Sequence, residues 1–238
     1  GSVQSVALKF ISDREKEVIA FSPAEYWSVD CEFSEGLTAK LKKINGKEAS
    51  IKDKKEAADI EKKLKSSSDI KVSEYNTKRT KTSPKAPFTT STLQQEASNK
   101  LSWPSKKTMN VAQRIFSNGL ITYHRTDSTR VEPTKTDDVR TRVESRFTKK
   151  YLSPSKRSFS NKDASQDAHE AIRPTYEPLP TTLSSDEKKL LRMITSRFEA
   201  SQMADALHDR VRAKILFKVG KDKYEFSVSG STLFFDGF

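Results

Sequence analysis

Residues 119–130 read Gly119-Leu-Ile-Thr-Tyr-His-Arg-Thr-Asp-Ser-Thr-Arg130, a short apolar stretch that runs straight into hydroxyl groups and charges. Leu120 and Ile121 predict a short buried strand, and the glycine before them is typical of a helix C-cap. Tyr123 is then the residue at which the chain leaves the core. Taken alone, the stretch favours an ordinary tyrosine at a strand end, with a buried ring and a hydrated hydroxyl. The alternative is a nucleophile, with Arg125 two residues further on to hold the anion that it attacks.

The composition around this stretch is polar and strongly basic. Of the 238 residues, 34% are hydrophobic and 32% are charged, and the formal net charge is +12. These values favour small or divided cores and a polyanionic partner, with nucleic acid ahead of a membrane surface. Cys31 is the only cysteine, which excludes an internal disulfide and a zinc site built on several cysteines. A reducing, cytoplasmic setting is therefore expected.

Strands are predicted in the first third of the chain and again near its end. Period-two alternation of apolar residues places them over 27–33, 37–41, 70–72, 211–219 and 224–228. Two helices are predicted among them, over 3–19 and over roughly 51–65, with Ser50 as the cap of the second.

The middle of the chain predicts helices instead. They are expected over 92–101, from a Ser105 cap to Gly119, from a Thr136 cap to Phe147, and after a capping box formed by Ser184 and Glu187. A long irregular stretch, 152–183, precedes the last helix and is of the kind that is usually functional or disordered. The fold class is therefore predicted as α+β. A discontinuous β-rich domain, 25–82 and 205–238, is expected to carry an inserted helical domain, 83–204.

Two more stretches belong with Tyr123. Residues 166–175 read Gln-Asp-Ala-His-Glu-Ala-Ile-Arg-Pro-Thr, and residues 84–98 read Pro-Lys-Ala-Pro-Phe-Thr-Thr-Ser-Thr-Leu-Gln-Gln-Glu-Ala-Ser. Together with Thr122-Tyr-His-Arg-Thr-Asp-Ser128 they resemble the type IA DNA topoisomerases, closest to the bacterial topoisomerase I group. The resemblance also includes Val3–Leu8, Phe21–Trp27 and Phe235–Phe238, so it covers essentially the whole chain in order.

The resemblance implies an activity and its residues. In this family the tyrosine of the motif attacks a DNA phosphodiester, forms a 5′-phosphotyrosine link and frees a 3′-hydroxyl, so that strand passage relaxes negative supercoils without ATP. Tyr123 takes that role, and His169 matches the active-site histidine. A phenol is mostly protonated at neutral pH and needs a cation or base nearby, and Arg125 supplies donors for the phosphate oxygens. The interpretation of Tyr123 as a nucleophile is then favoured over an ordinary tyrosine at a strand end.

The resemblance also implies how the chain meets DNA. The β-rich domain is expected to form part of an arch around a DNA-sized hole, and residues 1–24 to be a helix left from a neighbouring DNA-binding domain. The expected partner is a single-stranded segment of negatively supercoiled duplex and not a membrane. The protein is expected to be a monomer in the cytoplasm, at the nucleoid. Arg173 shares a face with His169 if their segment is helical. The residues predicted to bind DNA are Gln4, Ser5, Lys78, Arg79, Lys85 and Arg173.

Some positions depart from the family pattern. His124 stands where the family usually has methionine, and we interpret it as neutral variation. The family's metal-binding and acid–base residues lie in an N-terminal Toprim domain with an Asp-x-Asp cluster, and this sequence contains no Asp-x-Asp. Asp30-Cys-Glu32 and Asp59-Ile-Glu61 have similar spacing, but they are predicted on a strand and a charged helix. Gly1-Ser2 is typical of a cloning scar. We therefore expect a fragment that is inactive alone, with no metal here and Mg²⁺ held elsewhere in the full-length enzyme.

Two other classes of protein share features with this sequence. A tyrosine recombinase combines the same residue types, but its tyrosine follows a His-x-x-Arg pair, whereas Tyr123 comes first here and the spacing is His169-x-x-x-Arg173. A non-catalytic helix-turn-helix module is the better alternative, because the helix pair over 92–118 and the basic charge allow it. A covalent DNA adduct distinguishes the enzyme from the binding module.

Overall fold

Helices and strands of the computed structural model, which describes residues 1–34, 36–159 and 169–238, confirm the predicted α+β class. The helices are α1 (Ser2–Ala20), α2 (Lys54–Lys65), α3 (Thr90–Leu101), α4 (Ser105–Ser117), α5 (Pro133–Phe147) and α6 (Ser185–Ser201), with a short 3-10 helix at Lys149–Tyr151. The strands are β1 (Asp30–Glu32), β2 (Thr38–Ile44), β3 (Lys47–Glu48), β4 (Asp69–Thr82), β5 (Ala206–Val219) and β6 (Asp222–Phe235). Within the described parts of the chain, no helix has both the length and the apolar character needed to cross a membrane.

The chain divides into two compact units. The first contains Gly1–Lys78 and Arg210–Gly230, and the second contains Arg79–Asp209 and Ser231–Phe238. The divisions fall inside the long strands β4, β5 and β6, so α1 belongs to the first unit and the last eight residues to the second. As functional domains, the limits taken from the sequence stay a prediction.

The first unit is built on an antiparallel sheet. Its strand order is β1-β2-β6-β5-β4, with β3 paired to β2. Leu41 of β2 lies opposite Phe226 of β6, and the predicted alternation buries Tyr224, Phe226 and Val228 on one face. Ile60 of α2 is buried in the same apolar cluster. This packing is what stabilises so polar a stretch of chain.

The second unit is a helical core. α4 turns Val111, Ala112 and Ile115 inward, as its apolar stripe predicts, and they join a buried cluster with residues of α3 and α6. That cluster also contains Leu120 and Ile121, which lie next to the tyrosine motif.

The helix starts were predicted with mixed success. The Ser184–Glu187 capping box of α6 is confirmed. The predicted caps Ser50, Ser105 and Thr136 are wrong. Asp53 caps α2, because its carboxylate accepts the Glu56 N–H. α4 begins one residue after Pro104, so its first serine is already helical. α5 begins at Pro133, whose fixed φ suits a first helical position, and Thr136 therefore lies inside the helix.

Candidate active site

The chain leaves α4 through a tight turn that carries it into the core. Gly119 has a φ of 72°, in the left-handed region. Its N–H donates to the Phe116 carbonyl at 2.8 Å, and the Leu120 N–H donates to the Ile115 carbonyl at 3.0 Å. These two bonds are those of a Schellman motif, in which glycine follows the helix end and an apolar residue comes next. The turn fixes the direction in which Ile121 and the motif leave the helix.

A second segment, residues 169–175, runs beside the tyrosine motif. The Thr122 N–H donates to the Arg173 carbonyl at 3.0 Å, and the Arg173 N–H donates to Thr122 Oγ1 at 2.9 Å. The predicted strand at Leu120–Ile121 reduces to an isolated bridge between Ile121 and Pro174. The structure thus brings the segments of Tyr123 and His169 together, although they are far apart in sequence.

Thr90, the first residue of α3, clamps the motif from the other side. Its hydroxyl donates to the His124 carbonyl at 2.8 Å and accepts the Thr126 N–H at 2.9 Å. Its own N–H donates to the Thr126 carbonyl at 2.8 Å. The motif is an irregular segment, and these bonds give it the rigidity that regular secondary structure would otherwise supply.

Side chains of the clamped segment alternate between solvent and core. Tyr123, Arg125 and Asp127 are exposed, whereas His124, Thr126 and Ser128 are buried. Tyr123 is 43% exposed, and its ring centroid lies 5.4 Å from that of Phe116, 5.4 Å from that of His124 and 6.1 Å from that of His169. We call these four rings the ring cluster. The phenol therefore has a packed base, and Arg125 reaches solvent two residues away.

His124 is the inward-facing member of the ring cluster. It is 0% exposed, and neither ring nitrogen has a hydrogen-bond partner in the described structure. Burial lowers the pKa of His124, and the positive charge of Arg125 lowers it further. The imidazole is consequently held in its neutral form inside the protein. No sign of this burial is present in the sequence, because the residues on both sides of His124 are polar; the interpretation of His124 as neutral variation stays a prediction.

Arg173 takes a different place from the one predicted. The shared face with His169 was expected only if their segment were helical, and residues 169–175 are not helical. Arg173 is 9% exposed, and its Nη2 donates to a Glu170 carboxylate oxygen at 2.7 Å. The other Glu170 oxygen accepts the Glu132 N–H at the start of α5, at 2.8 Å. This geometry favours a structural role for Arg173, and its contact with DNA stays a prediction.

The remaining residues predicted to bind DNA are spread over the two units. Gln4, Ser5 and Lys78 are exposed in the first, and Lys85 is exposed in the second. Arg79 is already occupied, because it donates to both carboxylate oxygens of Asp209 at 2.8 and 3.0 Å. These hydrogen bonds lower the pKa of the Asp209 carboxyl. The guanidinium of Arg79 also lies 3.6 Å above the ring of Phe234. A phosphate would have to compete with both contacts.

The described residues do not fit a metal site. Across 1–34, 36–159 and 169–238, no group of three or more His, Cys, Asp or Glu side chains is arranged to hold a metal ion. Asp30 and Glu32 lie on β1, and Asp59 and Glu61 lie on α2, as their patterns predicted.

Sequence reasoning missed three residues that build the site. Phe116 was assigned only to a core stripe, yet it also contacts Tyr123. Thr90 bonds to the motif at His124 and Thr126, and Glu170 joins Arg173 to Glu132. The bonds of Thr90 and the bond between Glu170 and Glu132 link residues distant in sequence, for which no local pattern exists. The sequence Tyr-His-Arg-Thr-Asp-Ser over 123–128 has no alternation of apolar and polar residues that would have pointed to the burial of His124.

Comparisons with known proteins agree with this arrangement. The sequence model of one family, described as DNA topoisomerase, matches residues 1–238. Among solved structures, full-length topoisomerase I from Thermotoga maritima is similar, with a TM-score of 0.78 and 35% sequence identity. The similarity covers 100% of this chain and 39% of that one, so the chain spans well under two thirds of the relative's length. The resemblance found in the sequence is thereby confirmed: the chain belongs to the DNA topoisomerase family, as part of a type IA enzyme.

Proposed function

We propose that this chain carries the strand-cleaving tyrosine of a type IA topoisomerase. Tyr123 attacks one DNA strand to form a 5′-phosphotyrosine link, another strand passes, and the link is resealed, so that negative supercoils relax without ATP. One observation supports this most: an exposed phenol stands on a packed base of rings, within the family's motif and beside an exposed arginine. A nucleophile needs this combination of a fixed ring and an accessible oxygen.

The chemistry is an exchange of one phosphoester for another. Tyr123 Oη forms a bond to phosphorus as the bond from phosphorus to the 3′ oxygen breaks. The phenolic proton leaves, and the 3′ oxygen takes up a proton to become a hydroxyl. Because one ester replaces another, resealing is the reverse step and needs no nucleotide hydrolysis. Arg125 provides a planar fork of donors for the phosphate oxygens as charge builds on them. His169, whose ring lies against that of Tyr123, is proposed to hydrogen-bond the phosphate or its neighbours.

The described side chains offer no Mg²⁺ site, and no step above uses one. Mg²⁺ in the full-length enzyme is proposed to be held by residues outside this chain. Since the chain matches 39% of the solved relative, we propose that cleavage belongs to the longer protein and that this chain alone forms little adduct.

The proposed substrate is a single-stranded segment of negatively supercoiled DNA, bound by a monomer in the cytoplasm. The formal net charge of +12 supports a polyanionic partner. Lys78 and Lys85 are exposed and are proposed to neutralise phosphates, together with Gln4 and Ser5 as polar contacts. Binding is then expected to weaken steeply between about 50 and about 200 mM salt, because neutralised phosphates release counterions.

The test is a covalent adduct with a defined polarity. The full-length protein is mixed with Mg²⁺ and a single-stranded oligonucleotide labelled at either its 3′ or its 5′ end, and the products are separated on denaturing gels. A 5′-phosphotyrosine link predicts that the 3′-labelled piece migrates with the protein and that the 5′-labelled piece is released. The opposite polarity overturns the proposal. Binding without any adduct would leave the helix-turn-helix module as the better account.

A further inference from the structure

His124 is the polar group least explained by the proposed chemistry. It is 0% exposed, yet its two ring nitrogens have no hydrogen-bond partner within the described structure. A buried polar group without partners is costly, and native proteins seldom keep one without a use. Its ring lies 5.4 Å from Tyr123 and 5.5 Å from Phe116, with the Tyr123 ring edge-on. The imidazole is therefore part of the base on which the proposed nucleophile stands.

We propose that the uncharged ring of His124 is a positioning residue for Tyr123, and that the nucleophile is in place only while this imidazole is neutral. The proposal rests on the role of Tyr123 as nucleophile. It concerns a histidine that makes no contact with the phosphate, and it adds a condition on pH to the cleavage step.

The described surroundings of the His124 ring offer no acceptor for a second N–H group, so they do not stabilise the protonated imidazole. An imidazolium has two N–H donors and needs two acceptors or water, and the buried ring has neither. The same segment supplies Arg125, whose positive charge opposes protonation. α4 supplies the apolar ring of Phe116, and α3 supplies Thr90, whose hydroxyl serves the His124 carbonyl instead of the ring. The titratable neighbours are the phenol of Tyr123 and, across it, the imidazole of His169. Within the described chain, no carboxylate influences the pKa of His124.

Protonation therefore forces a local rearrangement. The pKa of His124 is lowered in the folded protein, so its contribution to stability is fully present above the ordinary histidine pKa and is lost as pH falls through the lowered value. Once protonated, the ring can be solvated only by leaving its pocket. Because Tyr123 packs on that ring, the phenol loses its support when the ring moves.

Titration of the imidazoles tests the first half of the proposal without any activity measurement. The chain has only three histidines, so NMR signals of His124 are identified by their loss in His124→Phe. The His124 signals should show that its ring stays neutral down to a lower pH than the ring of free histidine does. The ring signals of Tyr123 should shift at the pH at which His124 becomes protonated. A His124 signal that titrates like free histidine, or a Tyr123 signal that ignores the titration, overturns the proposal.

Cleavage by the full-length enzyme tests the second half. Each protein's adduct yield is divided by its own yield at about pH 8 and followed down to about pH 5. Phenylalanine keeps a ring at position 124 but cannot be protonated. The relative yield of wild type should therefore fall about tenfold further than that of His124→Phe, one power of ten for each pH unit below the lowered pKa. His208→Phe is the matched control, since it removes a histidine on β5 and should keep the wild-type profile.

Two failures can be told apart in this experiment. Equal acid profiles for wild type and His124→Phe overturn the role of His124 and leave Tyr123 as nucleophile. An adduct that persists in Tyr123→Phe removes the proposed function itself. If His124→Phe does not fold at about pH 8, the NMR titration of the wild-type chain still decides the matter.

Discussion

Two tyrosines of the helical unit, Tyr123 and Tyr176, are surrounded in opposite ways. Tyr123 is 43% exposed, and other rings approach it at its sides. Tyr176 is half-buried with a φ of 64°, the guanidinium of Arg142 lies 3.9 Å above its ring, and burial raises its pKa, with a further increase from the carboxylate of Glu199. Both residues are held firmly.

The contrast separates two uses of a fixed tyrosine. A phenol that attacks phosphorus must lose its proton, and a site that withdraws the oxygen from water opposes that loss. Tyr176 has an environment that keeps the proton on, although an arginine lies over its ring. Tyr123 has its ring packed against other rings but is 43% exposed, and the exposed Arg125 follows two residues later. The difference predicts which phenol reacts, and removing the corresponding group from each of the two sites tests it.

Removing each phenolic oxygen is the strongest test. Tyr123→Phe in the full-length enzyme should abolish the covalent adduct and supercoil relaxation, because the attacking atom is gone. Folding and noncovalent DNA binding should survive, since the packed ring remains. Tyr176→Phe should form adduct as wild type does. Denaturing gels with 3′-labelled DNA measure both, and a labelled Tyr123→Phe protein contradicts the comparison.

The arginine near each tyrosine gives the next largest effect. Arg125→Ala should reduce the cleavage rate by roughly a hundredfold, or about 3 kcal/mol, because it removes electrostatic stabilisation and leaves the nucleophile. Arg142→Ala removes the cation above Tyr176 and should leave the rate unchanged. Single-turnover cleavage at saturating DNA compares the two. Equal losses for both variants would mean that general positive charge, and not the position of Arg125, supports the reaction.

The sequence predicted those parts of this comparison that depend on neighbours along the chain. The turn after α4 needed only Gly119 and the apolar residue after it, and the α6 capping box needed only Ser184 and Glu187. Both are decided by residues within about one helical turn of one another. The motif around Tyr123 was identified instead by resemblance to the family, together with the stretches over 84–98 and 166–175.

What could not be predicted depends on residues that meet only in the fold. Thr90 binds backbone groups of His124 and Thr126, more than 30 positions away. Glu170 joins Arg173 to the start of α5 by accepting from both. His124 and Arg173 are polar residues that tertiary contacts bury, and no pattern in the sequence predicted their burial. Burial of single polar residues is set by packing partners, which a local pattern does not contain.

A smaller effect is expected from the hydroxyls that hold each segment. Thr90→Val keeps the shape but loses the bonds to the motif at His124 and Thr126, which should lower the free energy of unfolding by about 1–2 kcal/mol and slow cleavage several-fold. Thr175→Val, next to Tyr176, loses a bond to the Gly119 carbonyl in an exposed setting and should cost less. Urea unfolding gives the free energies. A larger cost at position 175 would show that the clamp at Thr90 is not what makes the motif rigid.

The effect that is smallest at neutral pH, and that develops only under alkaline conditions, concerns the proton of Tyr176. Because the pKa of this phenol is raised in the folded protein, its contribution to stability is fully present below the unfolded value of about 10 and is lost as pH rises through the folded value. Wild type should therefore lose up to about 1.4 kcal/mol more stability per pH unit above about pH 10 than Tyr176→Phe, which has no proton to release there. Urea unfolding at a series of alkaline pH values measures the difference, and absorbance of tyrosinate should show one late-ionising phenol that the variant lacks. If the two proteins lose stability in parallel, Tyr176 is not protected by burial, and the difference in exposure no longer supports Tyr123 as the proposed nucleophile.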